Sequence, residues 1–145
     1  MKKNEPIQFL CFKLGEYFFG IDVMNIVEIV NFKGAETPPA ADGEQFIKYN
    51  NRRLRVFHPG QFLLNTSASA SVDYRVIVVE QQRKKIGLVV DSAEEIIRTT
   101  PGAIRDVELA ETDLRPDVLY GRIVQEQKTV HLVDPEKMLA VVMIR

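Results

Sequence analysis

Leu54-Arg55-Val56-Phe57-His58-Pro59 and Val130-His131-Leu132-Val133-Asp134-Pro135 lie on each other without gaps, two strand-like runs that each end in proline. Upstream of them, in the same order along the chain, Gly20 to Val30 and Gly87 to Ile97 share their glycine and close on Glu28-Ile29-Val30 and Glu95-Ile96-Ile97. One such match is weak, but two ordered matches argue for two related units. Each unit has only a few short strands, too few to bury both faces of a sheet. Each is therefore expected to close into a small barrel and pack on its twin, with the cleft between them as the natural binding site.

The remaining segments fill in an all-β plan. Ile7 to Leu14 and Tyr17 to Ile21 read as strands joined at Gly15-Glu16, where glycine supplies a positive φ. Asp22 is an N-cap residue, and Val23, Ile26, Val27 and Val30 have helical spacing. Their β-branching makes a single turn feeding another strand an equal alternative. Phe46 to Tyr49 and Arg53 to Phe57 flank Asn50-Asn51-Arg52 as a hairpin. Tyr74 to Val79 and Ile86 to Val90 form another around Gln81 to Lys85, and Leu119 to Val124 with Thr129 to Val133 form the last. Asp91 and Glu94 have capping-box spacing. Asp134-Pro135 opens a C-terminal helix with Met138, Leu139 and Val142 on one face. The Ser/Ala-rich residues Asn65 to Ser71 offer little to bury and divide the chain almost in half as a linker. One domain over 1–145 is expected, with subdomains at approximately 7–65 and 73–145.

Composition narrows the function. Of 145 residues 46% are hydrophobic and 27% charged, enough apolar surface for a packed core. Nineteen basic against twenty acidic residues give a net charge of -1, so no global field attracts phosphate backbones, and neither nucleic acid nor an anionic membrane is the expected partner. The single cysteine, Cys11, excludes an intrachain disulfide and suits a reducing compartment as a small buried hydrophobe. No run approaches the ~20 apolar residues of a membrane span, so the expected protein is soluble and cytoplasmic, without direct membrane insertion. No nucleophile beside a base and no phosphate-binding glycine loop stands out, so no catalytic residue, cofactor or metal is assigned and a non-enzymatic protein is expected. His58 and His131 lack companions at ligand spacing, and His131, alternating with Val130 and Leu132, is expected to point outward.

The pattern Phe12, Leu14, Tyr17 to Ile21, Val27-Glu28-Ile29, then Gly87-Leu88-Val89-Val90-Asp91, Tyr120-Gly121 and Leu132-Val133-Asp134 resembles the CheW-like domain over nearly the whole chain. The resemblance implies two intertwined five-stranded SH3-like barrels, open to strand exchange, with short helical segments and a C-terminal helix. It also implies an adaptor coupling the cytoplasmic tips of chemoreceptors to the regulatory domain of a CheA-type histidine kinase. The hairpin turn that the family usually writes Asn-Leu-Arg-Gly aligns with Lys48-Tyr49-Asn50-Asn51, so the usual arginine is absent at Asn50 and Asn51 stands for the glycine. Arg52 and Arg53 lie just beyond, and the family's later Pro and Asp align with Arg55 and His58.

The candidate partner-binding residues are Val27, Glu28, Ile29, Asn50, Asn51, Arg52, Arg53 and Val90. The resemblance places Glu28 at the kinase-facing surface; a solvated carboxylate on a strand edge is the plainer alternative. Arg52, Arg53 and Arg55 put three cations around one hairpin, either to steer an acidic partner or to keep an edge strand from aggregating. Val89-Val90-Asp91 also reads as barrel wall, with Asp91 capping backbone donors. Other readings remain: an adaptor for a different two-component pathway, a small-barrel nucleic-acid module stacking bases on Tyr17, Phe18 and Tyr49, and a small enzyme with a site assembled from distant residues.

Overall fold

The computed structural model describes residues 5–32, 45–59, 63, 74–107, 116–125 and 127–143. The candidate linker at 65–71 lies outside them. Among the described residues ten strands follow in order: β1 (Ile7–Leu14), β2 (Tyr17–Asp22), β3 (Ile26–Phe32), β4 (Gln45–Tyr49), β5 (Arg52–Phe57), β6 (Tyr74–Gln81), β7 (Lys84–Val90), β8 (Ser92–Thr99), β9 (Leu119–Val124) and β10 (Thr129–Val133). Helix α1 (Pro135–Met143) ends the fold, its N-terminus capped by the Asp134 carboxylate, which accepts from the Glu136 and Lys137 amides.

The strands form two five-stranded sheets with orders β8-β1-β2-β10-β9 and β3-β6-β7-β5-β4. Numbering β6–β10 as the repeat of β1–β5 turns one order into the other. Each sheet takes two strands from one half of the chain and three from the other. The junctions are parallel pairings, with Leu132 opposite Gly20 and Val56 opposite Gly87, which are equivalent pairs in the two repeats. A side chain at either glycine would meet the strand contributed by the other half: a Cβ on Gly87 would lie 2.8 Å from Val56 Cγ1 and 2.7 Å from Val76 Cγ1, and one on Gly20 3.1 Å from Leu132 Cδ2. The repeated glycines are thus explained by close packing at the exchange point.

Alternation along the strands sorts the core into three layers. Phe9, Cys11, Ile97, Ile123, Val130 and Leu132 fill the first barrel. Ile47, Leu54, Val56, Val76, Val78 and Val89 fill the second. The opposite faces of the same strands, including Leu10, Phe12, Phe19, Ile21, Ile77, Leu88 and Val90, join Met138 and Leu139 of α1 in the largest cluster, which lies between the barrels. Each such side chain, fully buried, contributes about 1.5–3 kcal/mol. The space between the barrels is therefore packed core rather than the open cleft expected from the repeat.

Two further expectations change. Ser92–Thr99, proposed to begin with a capping box at Asp91 and Glu94, is a strand paired with β1 along its length. Its Ile96-Ile97 and Thr99 favour an extended backbone, and the unpaired edge of β1 recruits them. Asp91 caps instead a distant turn, accepting from the Gly15 amide at 3.0 Å. His131 is buried, with its ring 5.9 Å from Phe19 and 6.4 Å from Tyr17, because both faces of β10 are covered. At Asp22 the single-turn alternative holds: its carboxylate accepts from the Met24 amide at 2.9 Å, capping one 3-10 turn at Val23–Asn25 before β3 begins.

Candidate partner-binding surface

β3 is the outer strand of its sheet, and its sequence displays a short apolar stretch there. Ile26 pairs with Val79 and Glu28 with Val78, so Val27 is an extra residue in a β-bulge. The bulge turns Val27 outward, leaving it 41% exposed, and Ile29, opposite Ile77, is 38% exposed. The repeat carries the same irregularity: Cys11 pairs with Glu95 and Phe12 with Ala93, so Glu94, the counterpart of Val27, is extra in β8.

Glu28 is exposed but engaged. The Tyr49 hydroxyl, at the end of β4, donates to its carboxylate. Because β3 and β4 are the two outer strands of one sheet, this bond joins the sheet's edges and closes the barrel. Accepting a hydrogen bond from the phenol stabilises neutral tyrosine, so Glu28 pushes the Tyr49 pKa above its ordinary value. Glu95, the repeat counterpart of Glu28, likewise holds Lys128, whose ammonium lies 4.7 Å over the Phe18 ring. In the first barrel the corresponding edge is bridged by reciprocal backbone bonds between Arg105 and Arg122, each 2.9 Å.

Asn50 and Asn51 form the two-residue turn between β4 and β5, with φ of 50 and 63°. Both central residues of such a turn need left-handed angles, which asparagine tolerates. Arg52, expected in the turn, is instead the first residue of β5. Arg53 lays its guanidinium 4.0 Å over Phe46, and Arg55 packs 4.8 Å over Phe57. Asn50, Arg52 and Arg53 line a groove of ≈ 510 Å³ together with Glu80, Arg83 and Lys85 of the β6–β7 hairpin. Val90 does not join these residues. It is wholly buried between the barrels, where it packs rather than faces a partner.

Sequence reasoning missed several members of the surface. Tyr49 reads from sequence as a strand end and a stacking aromatic, with no signal of its hydroxyl contact to Glu28. Ile96, 57% exposed, is the repeat counterpart of Ile29, and the repeat itself was a signal that pointed to it. Tyr120, extra in a bulge where Gly121 and Leu119 face Leu132 and Val133, is half-exposed, and burial, reinforced by Asp22 and Asp134, pushes its phenol up to about 12. Met24, 87% exposed on the 3-10 turn, lines a second groove of ≈ 460 Å³ with Ile7, Val23 and Pro101. Of the supposed base-stacking platforms, Phe18 has its ring under Lys128 and Tyr49 has its hydroxyl on Glu28. Among the described residues no helix is long and apolar enough to cross a membrane, and no three His, Cys, Asp or Glu side chains are grouped to hold a metal ion.

Two barrels welded by a common apolar layer, with apolar residues displayed on bulged outer strands, define a double-barrel class of β-protein. The chain belongs to the CheW-like domain family, whose model matches residues 8–143. It is 28% identical over 137 residues to a chemotaxis protein CheW of Klebsiella aerogenes, covering 92% of this chain and 81% of that protein. To a chemotaxis protein CheW of Treponema pallidum it is 22% identical over 146 residues, covering 94% and 84%. The fold is similar to the crystal structure of the scaffolding protein TtCheW from Thermoanaerobacter tengcongensis, with a TM-score of 0.73 and 23% identity over 93% of this chain and 88% of that one.

Proposed function

We propose that this chain is a non-enzymatic, cytoplasmic adaptor of chemotaxis signalling that joins the cytoplasmic tips of chemoreceptors to the regulatory domain of a CheA-type histidine kinase. It works as one domain, because the two halves share strands and a core. The observation that carries the reading is the bulge in β3, which presents Val27 and Ile29 to solvent on either side of Glu28 in a family whose relatives are chemotaxis proteins. Val27 and Ile29 supply apolar anchors, and Glu28, held by Tyr49, sets the charge that selects the partner. Asn50, Asn51, Arg52 and Arg53 form a second contact at the hairpin, where arginines on β5 supply the cation that Asn50 lacks.

A pull-down of the host's CheA-type kinase by the intact chain tests this. Retention of the kinase, with loss on Glu28→Ala and not on Tyr49→Phe, is expected if the carboxylate itself makes the contact. Failure of the intact chain to retain any such kinase would sink the kinase role.

A further inference from the structure

The groove at the open end of the second barrel is built by two hairpin turns from different halves of the chain. The β4–β5 turn contributes Arg52 and Arg53, and the β6–β7 turn contributes Arg83 and Lys85, so four cations line the groove against one carboxylate, Glu80. All five side chains are exposed. Both turns are tight, with positive φ at Asn50, Asn51, Gln82 and Arg83, which fixes where the flanking cations start. β5 and β7 are parallel neighbours, so the two hairpins point the same way.

The fold does not require this charge. At the equivalent end of the first barrel the β1–β2 turn is Gly15-Glu16, the flanking Lys13 lies 5.8 Å over the Phe18 ring, and the Lys128 ammonium before β10 is already taken by Glu95. A chain of net charge -1 has thus gathered cations at one of two architecturally matching ends. The groove also adjoins the proposed kinase surface, since Tyr49, whose hydroxyl closes on Glu28, lines its wall.

Resting on the adaptor reading above, we infer that this two-hairpin groove docks an acidic, carboxylate-rich polypeptide segment of a protein partner, with Arg52 and Arg83 as the specificity-determining cations contributed by the two halves. Guanidinium groups match carboxylates in forked pairs, and ε-ammonium groups add point charge. Tyr49 is the one aromatic among the described lining residues, and single-stranded nucleic acid uses successive stacking platforms, so charge complementarity favours a peptide.

The test is fluorescence anisotropy with the full chain and a fluorescein-labelled oligoglutamate peptide at low salt. Binding that weakens as salt rises is expected. Exposed ion pairs being modest, Arg52→Gln and Arg83→Gln should each weaken it about two- to fivefold, and the double variant roughly tenfold. Lys13→Gln, on the other barrel, serves as the control. No binding by the intact chain, equal loss in the Lys13 control, or stronger displacement by an oligothymidylate than by unlabelled oligoglutamate would each overturn the inference. The peptide titration stands or falls whether or not a kinase domain binds at Val27 and Glu28, so the two failures are separable.

Discussion

Gly87→Ala isolates the point where the two halves of the chain interlock. The new Cβ would sit 2.7 Å from Val76 Cγ1, 2.8 Å from Val56 Cγ1 and 3.3 Å from Leu54 Cδ2, all in the filled interior of the second barrel. Neither valine can turn away cheaply, because β-branching restricts its rotamer. Overpacking of this kind costs about 1–3 kcal/mol, while replacing a strand glycine by alanine recovers about 0.5–1 kcal/mol of backbone entropy. Contacts under 3 Å put the clash in the upper half of that range, so the net is a destabilisation of about 1–2 kcal/mol, or a fall in Tm of roughly 2–8 °C for a chain of this size. At the equivalent Gly20 the nearest contacts are 3.1 Å, to Leu132 Cδ2 and Val130 Cγ1, and the same gain and a smaller clash nearly cancel. Denaturant melts of Gly87→Ala, Gly20→Ala, Val56→Ala and the Gly87→Ala/Val56→Ala pair measure this. Val56 comes from the other half of the chain, so the double variant should be more stable than the sum of the singles predicts, by at least about 0.5 kcal/mol. Additive losses, or Gly87→Ala as benign as Gly20→Ala, would refute the reasoning and with it the packing of β5 on β7.

The remaining predictions concern buried and half-buried titrating groups. The Tyr120 phenol, held neutral first by burial and then by Asp22 and Asp134 up to about 12, contributes stability fully present below the ordinary tyrosine pKa of 10 and lost as pH rises toward 12. Melting profiles between pH 9 and pH 12 should therefore fall more steeply for the intact chain than for Tyr120→Phe, and identical slopes would contradict the assignment. The Cys11 thiol, inside the first barrel and pushed up by burial, should react with a thiol reagent far more slowly in the native chain than in denaturant. Equal rates would place it at the surface.

Much of the fold was legible because it is written twice. The paired glycines and the Leu54–Pro59 and Val130–Pro135 runs encode the same strands and the same exchange point, and hairpins at Asn50-Asn51 and Gly15-Glu16 carry their own turn chemistry. Periodicity misread Ser92 onward, because a capping pattern is local while the pairing of β8 with β1 is made by residues some eighty positions away. The same limit hid the burial of His131: alternation says that successive residues face opposite ways, not that both faces are covered. The candidate surface was partly readable. Val27, Glu28 and Ile29 were found through the motif, but the bulge that exposes Val27, the Tyr49 clasp on Glu28, and the meeting of Arg83 with Arg52 depend on register and sheet closure.

The bulged Val27-Glu28 edge is proposed as one contact surface for a kinase regulatory domain. Titration calorimetry of that domain with the intact chain, Val27→Ala, Glu28→Ala and the double variant tests it most directly, with Tyr49→Phe included to separate the carboxylate from the clasp that holds it. Each single variant is expected to weaken binding about fivefold or more, with losses non-additive by at least about 0.5 kcal/mol. Strictly additive losses, or binding unchanged by either substitution, would contradict it.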